Sequence, residues 1–356
     1  MKKIIVWFAI AALMLGCISG CGTPGRAADD GKLDIVVTIF PVYDWVKNIV
    51  GDAQGVNLTL LVDNGTDMHS FQPSADDIIT ISNADIFIYV GGESDKWADD
   101  AIRDAVRNVN ENITVLNLME IMGDMVKEEE LAEGMQEGHD HHHDEDDEDH
   151  DHDEDEAHDH DEDEAHDHDE DHDHEEETEY DEHIWLSLRN AEYVTELISD
   201  LLQQKDSANA AAYHDNTEAY ISALNTLDTE YSEMISECPK DTILVGDRFP
   251  FRYLVDDYRI KYYAAFAGCS AESEASFETI TFLSDKVDEL SLGDVLIIEG
   301  SDGRIAETII SNTKDKDQQI LTLDSMQSVT RSMIDGGYTY LSAMENNLSV
   351  LKEALN

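Results

Sequence analysis

The chain has 356 residues and a formal net charge of −59, from 81 Asp and Glu against 22 Lys and Arg. That acidity excludes the basic footprint that nucleic-acid binding requires. Some 300 residues, roughly, lie outside any leader or low-complexity stretch, too many for one small core, so two domains are expected.

The N-terminus, "MKKIIVWFAIAALMLGCISGCG", opens with Lys2 and Lys3 and an apolar run from Ile4 to Leu15. The run is short for a membrane span and suits a secretory signal at 1–20. "ISGC" places a lipid-bearing mature N-terminus at Cys21; "MLGC", ending at Cys17, puts bulky Leu15 where a small residue is expected. Residues 21–32 then read as a tether, and the protein as extracytoplasmic and anchored to the cell membrane by its lipid.

Strands and helices alternate from Leu33 onward. "LDIVVTI" (33–39) is a β-branched run, followed by the helix "PVYDWVKNIVG" with Pro41 in its first turn. "GVNLTLLV" (55–62) is a second strand. A loop containing His69 leads to a helix near 76–83, with Ser74 as its N-cap. "DIFIYVGG", "WADDAIRDAVRNV" and "ITVLNL" read as strand, helix and strand. Such alternation argues for βαβ units and a parallel sheet.

Residues 139–182 interrupt the pattern. They hold 12 of the 15 histidines and 28 acidic residues among 44, with no Lys or Arg, leaving a charge of −31 on the other 312 residues. The unit "HDHDEDEA" begins at His150, is written twice and starts a third time. Ordering backbone costs about 1–2 kcal/mol per residue, and these side chains offer no apolar surface to offset it, so a disordered surface loop is expected.

"DEHIWLSLRNAEYVTELISDLLQQ" reads as a helix entered just after His183, and "ANAAAYHDNTEAYISALNTLDTEYSEMI" (208–235) as a stiff connector. A second alternation follows, from "TILVGD" through "IKYYAAF", "DVLIIEG" and "QQILTLD" to the closing helix "YTYLSAMENNLSVLKEAL". The expectation is α/β: two (βα)4 lobes, each with a parallel four-stranded sheet, joined by one long connector helix. The lobes are assigned to 33–188 and 239–356, with 189–238 between them. Cys238 precedes one strand of a parallel pair and Cys269 follows its neighbour, roughly 20 Å apart, so no disulfide between them is expected.

Outside the tract the histidines are His69, His183 and His214. His69 and His183 both fall after strands of the first lobe, at the edge where ligands gather in open α/β sheets. His214 is mid-helix and reads as solvated. A nucleophile elbow, a P-loop and a dinucleotide glycine fingerprint are absent, so no enzymatic reaction is implied.

"IFPVYDWVKNIVGD", "DMHSFQPSADD", "NADIFIYVGG", "DEHIWLSLRNA" and "TYLSAMENNLSVLKEAL" resemble, in order, the metal-binding solute receptors of zinc and manganese ABC importers, several of which carry a His/acid-rich loop before their second ligand histidine. The resemblance runs from about Leu33 to the end. It implies a lipid-anchored, monomeric receptor that captures a metal ion and hands it to an ABC transporter permease. His69 matches the family's first ligand histidine, His183 the second, and Asp324 in "LDSMQSVT" the C-lobe aspartate. The third histidine position aligns with Arg248, which cannot ligate a cation; Asp247 and Glu299 are the further candidates. Two histidines with carboxylates suit zinc, and equally manganese or another divalent transition metal; the imidazole-rich tract favours zinc. Two other roles stay open: a surface adhesin, and a zinc buffer working through the tract.

Overall fold

The computed structural model describes residues 31–108, 110–136, 179–270 and 274–356. The signal segment, Cys21 and tract residues 139–178 lie outside the described residues.

The first half builds β1 (Leu33–Val37), α1 (Phe40–Val50), β2 (Val56–Leu60), α2 (Ala75–Asn83), β3 (Ile86–Tyr89), α3 (Lys96–Asn108), β4 (Thr114–Asn117) and α4 (Leu118–Met122). α5 (Leu188–Lys205) and α6 (Ala210–Glu237) follow. The second half adds β5 (Thr242–Phe249), α7 (Arg252–Tyr258), β6 (Lys261–Ala267), α8 (Phe277–Leu290), β7 (Asp294–Ile298), α9 (Arg304–Asn312), β8 (Gln319–Leu323), α10 (Arg331–Asp335) and α11 (Tyr340–Ala354). The two sheets have the orders β2-β1-β3-β4 and β6-β5-β7-β8, with every pairing parallel. In each, the first strand lies between the second and the third, so successive crossovers leave in opposite directions. A crevice opens at the carboxyl ends where they diverge.

The local chemistry explains the elements. β3 (IFIY) is buried throughout, as a parallel strand covered on both faces should be. α1 carries a proline in its first turn, buries Val42, Trp45, Val46 and Ile49 on one face, and stops at Gly51, whose N–H still reaches the Lys47 carbonyl while its φ of 54° turns the chain out of the helix. α2 carries a full capping box between Ser74 and Asp77.

The connector α6 is 28 residues long, about 42 Å at the helical rise. Tyr213, Thr217, Tyr220, Leu224, Leu227 and Tyr231 form its buried seam at alternating spacings of four and three. It packs on α1, α5, α7 and α11, and the Tyr231 hydroxyl donates to the Met344 carbonyl at 2.6 Å. Residues of both sheets, among them Ile35 and Ile86 of the first and Ile243 and Leu296 of the second, belong to one continuous hydrophobic cluster.

Three expectations are corrected. The chain after His183 is a 3₁₀ turn (Ile184–Leu186), and α5 begins only at Leu188 under a Ser187 cap. The expected disordered loop 139–182 runs too far at its end. Tyr180 bridges Glu128 in antiparallel register, and Asp181 and Glu182 are buried, because each has hydrogen-bond donors waiting in the cleft. β5 extends past "TILVGD" to Phe249, with a register shift against β6 between Val245 and Arg248. Cys238 and Cys269 are free thiols. Among the described residues no helix is long and apolar enough to cross a membrane.

Candidate metal centre

The loop after β2 turns at Asp67, whose carboxylate accepts the His69 N–H at 3.0 Å and starts the short turn Met68–Ser70. This presents His69 toward the crevice. His183 arrives from the other side, buried completely, just before the turn that leads into α5. The two Nε2 atoms stand 3.3 Å apart.

Each ring is fixed through its other nitrogen. His183 Nδ1 lies 2.8 Å from Asp181 Oδ1, which also accepts the His183 backbone N–H. His69 Nδ1 lies 2.6 Å from Ser94 Oγ and 3.1 Å from Glu182 Oε1. Ser94 in turn donates its hydroxyl and its backbone N–H to Glu182. These bonds assign the ring protons to Nδ1 and leave both Nε2 lone pairs facing one another. Two lone pairs at that distance call for a donor or a cation between them. In this structure the Gln327 amide nitrogen serves, 2.6 Å from His183 Nε2 and 3.1 Å from His69 Nε2.

Electrostatics favour positive charge here. Burial alone would push His183 down, yet Asp181, Glu182 and Glu129 together hold its pKa above the usual histidine value. Burial would raise Glu182, but bonds from His69 and Ser94 and the nearness of His183 keep it below the usual range. Cys269, on the loop after β6, is pushed far up by burial and by Glu182 and Glu129. One ligand atom each from His69, His183 and Cys269 can be chosen so that all lie within 4.8 Å of one another. His69 and Cys269 line a cleft of about 620 Å³ together with Asp67, Ser94, Asp247 and Arg248, and His183 lies buried behind them.

The acidic candidates are engaged elsewhere. Asp324 accepts the Tyr338 hydroxyl at 2.5 Å and the Met326 N–H at 2.9 Å. Glu299 accepts the Ser325 N–H and hydroxyl, both at 2.7 Å, and the Gln327 N–H at 3.0 Å. Burial, reinforced by the Asp324 charge, raises it to about 7. Glu299 thus holds the loop that carries Gln327 and does not itself join the histidines. Asp247 lines the cleft, but its carboxylate accepts the next residue's N–H at 2.8 Å. None of the three carboxylates joins the cluster of potential ligands among the described residues. Arg248 reaches across the cleft to pair with Asp67 at 2.5 Å, outweighing burial and holding that carboxyl low. His214 is half exposed on α6 and faces Glu218.

The sequence reading missed Asp181, Glu182, Gln327 and Cys269. Carboxylates one and two residues before a ligand-type histidine were a usable signal, hidden because the preceding tract is made of the same residues. Gln327 and Cys269 carried no signal of their own.

The geometry suits a tetrahedral ion. With Zn–N bonds of about 2.05 Å, two ligand nitrogens sit roughly 3.35 Å apart, close to the 3.3 Å between the two imidazoles. The family description "ZnuA: Zinc-uptake complex component A periplasmic" matches residues 35–354. Zinc-binding lipoprotein AdcA of Streptococcus pneumoniae is 29% identical over 353 residues, which cover 99% of this chain and 61% of that protein. High-affinity zinc uptake system protein ZnuA of Bacillus subtilis is 27% identical over 358 residues, covering 99% of this chain and 98% of its own. The chain therefore spans about three fifths of the AdcA relatives' length. The crystal structure of the Zn(II)-bound ZnuA-like domain of S. pneumoniae AdcA superposes with a TM-score of 0.65 at 25% identity, over 91% of this chain and 99% of that one.

Proposed function

Since the chain belongs to the ZnuA family of zinc-uptake components, a transport family and not an enzyme family, we propose that it is the extracytoplasmic receptor of an ABC importer and that its cargo is zinc. A lipid on Cys21 would hold it at the membrane as a monomer, and a permease would take the ion from the cleft. The observation that carries this reading is the pair of imidazole Nε2 atoms at 3.3 Å, each aimed by an Nδ1 bond backed by a buried carboxylate. Such second-layer carboxylates fix the tautomer and raise ligand basicity.

The His/acid-rich tract gathers ions, and the cleft keeps one. Closing a stretch of chain round an ion costs conformational entropy, and an imidazole must be neutral to ligate, so capture by histidines weakens as the pH falls. Fixed rings in a crevice avoid the first penalty.

Calorimetric titration with zinc and manganese tests this on the full chain and on a chain lacking residues 139–178. The shortened chain is expected to keep one tight zinc, and His69→Ala or His183→Ala to abolish it. Undiminished tight binding in both histidine variants would sink the cleft as the receptor site. Loss of nearly all zinc capacity on removing the tract would instead indicate a buffer.

A further inference from the structure

The two histidines come from the first lobe, and the position where a receptor of this kind draws a histidine from the second is Arg248. A guanidinium cannot ligate a cation, and this one is held by Asp67. Glu299 and Asp324 spend their oxygens on backbone N–H and hydroxyl groups, and Asp247, one oxygen of which takes the Arg248 N–H, does not join the cluster of potential ligands among the described residues. Besides the Gln327 amide, which contacts both Nε2 atoms, the second lobe brings one donor that can become an anion close to the two histidines.

That donor is Cys269. β6 ends at Ala267, and Gly268 lets the chain pass against the His183 ring: a Cβ there would sit 3.0 Å from His183 Cε1 and 3.0 Å from the Phe249 carbonyl. The close approach brings the next residue's sulfur into the same small volume as the two imidazoles. Its backbone N–H is tied to Glu129 Oε1 at 3.1 Å, and its thiol has Glu182 Oε1 at 3.7 Å, so the loop is anchored while the sulfur is only loosely held.

Resting on the receptor reading above, we propose that the Cys269 thiolate is the third ligand of the cleft ion and the residue that makes the site prefer zinc to manganese. On binding, the thiol gives its proton to solvent and a sulfur–metal bond forms, so one proton is released per ion. Two imidazoles and one thiolate leave a fourth tetrahedral position open, as suits a cargo that must leave again. Thiolate favours zinc and softer ions and gives manganese little. The buried carboxylates of Asp181 and Glu182 add negative potential round the ion.

Cobalt(II) is the probe, because sulfur-to-cobalt charge-transfer absorption reports a thiolate ligand and the tract contains no cysteine. The full chain and Cys238→Ser are expected to show the band, and Cys269→Ser to lose it. In chelator competition, Cys269→Ser should bind its tightest zinc about tenfold or more weakly, the least expected where supporting residues alone are worth that much, while manganese affinity moves less. Cys269→Ala with an unchanged unfolding midpoint separates ligand loss from misfolding. Absence of the band from the full chain, or an unchanged zinc-to-manganese preference in Cys269→Ser, overturns the proposal. If His69→Ala removes tight zinc and Cys269→Ser does not, this proposal alone fails; if neither does, the receptor reading fails.

Discussion

Asp181, Glu182 and His183 form a run of three in which one imidazole turns its Nε2 toward His69 and the two carboxylates hold imidazoles. Asp181 aims the His183 ring at 2.8 Å, and Glu182 reaches His69 at 3.1 Å. Removing the Asp181 charge should weaken the ring's basicity without emptying the space. Asp181→Asn is therefore expected to lower zinc affinity about 10–100-fold, by chelator competition, with its unfolding midpoint near that of the unaltered protein. At this scale the sequence was partly legible. His69 and His183 stood out because so few histidines lie beyond the tract. Asp181 and Glu182 were invisible for the opposite reason, being written in the same residues as the disordered-looking stretch before them. Cys269 was weighed only for a disulfide with Cys238, which was not expected, since its nearness to His183 depends on Gly268 and on a loop conformation that no local pattern encodes.

Most elements were legible because their signals are local. β-branched runs marked the strands, and Ser74 marked the start of α2, where its hydroxyl accepts the Asp77 N–H and Asp77 answers the Ser74 N–H. Ser74→Ala should lower stability by about 1 kcal/mol, read by chemical denaturation. Zinc affinity should stay unchanged, because the turn bearing His69 takes its own anchor from Asp67. α4 and α10 were missed, as five residues cannot display a helical repeat. The late start of α5 has a similar cause: Ser187 caps it in the structure, but the apolar Ile184–Leu186 ahead of it continued the helical pattern while forming a buried 3₁₀ turn.

For the whole molecule, a paired-lobe arrangement followed from the repeated alternation, whereas the shared core and the cleft contacts could not be read from sequence. Each lobe carries a buried acid near its strand ends, Asp95 in the first and Glu299 in the second, both raised to about 7 from ordinary values of 3.8 and 4.5. Burial is the main cause in both, aided by Glu182 for Asp95 and by Asp324 for Glu299. Between its unfolded and folded pKa such an acid binds more protons when folded, so its contribution is full at low pH and is lost as the pH rises toward about 7. His183, also raised, acts in the same direction. The metal-free protein should therefore resist denaturant better at about pH 5.5 than at about pH 8, each group supplying at most about 1.4 kcal/mol per pH unit within its window. A denaturation series in chelator checks this, and the reverse order would contradict it.

The two edges of the His/acid-rich insertion are each sewn to their surroundings. Glu128 pairs with Tyr180, the Glu129 N–H reaches the Glu179 carbonyl, and Gln136 adds to the edge of β6 at Phe266. Strands before and after the insertion also share the apolar interior. A protease that severed the chain anywhere between 137 and 178 would consequently leave two fragments still joined as a non-covalent heterodimer, native in outline and separable only by unfolding.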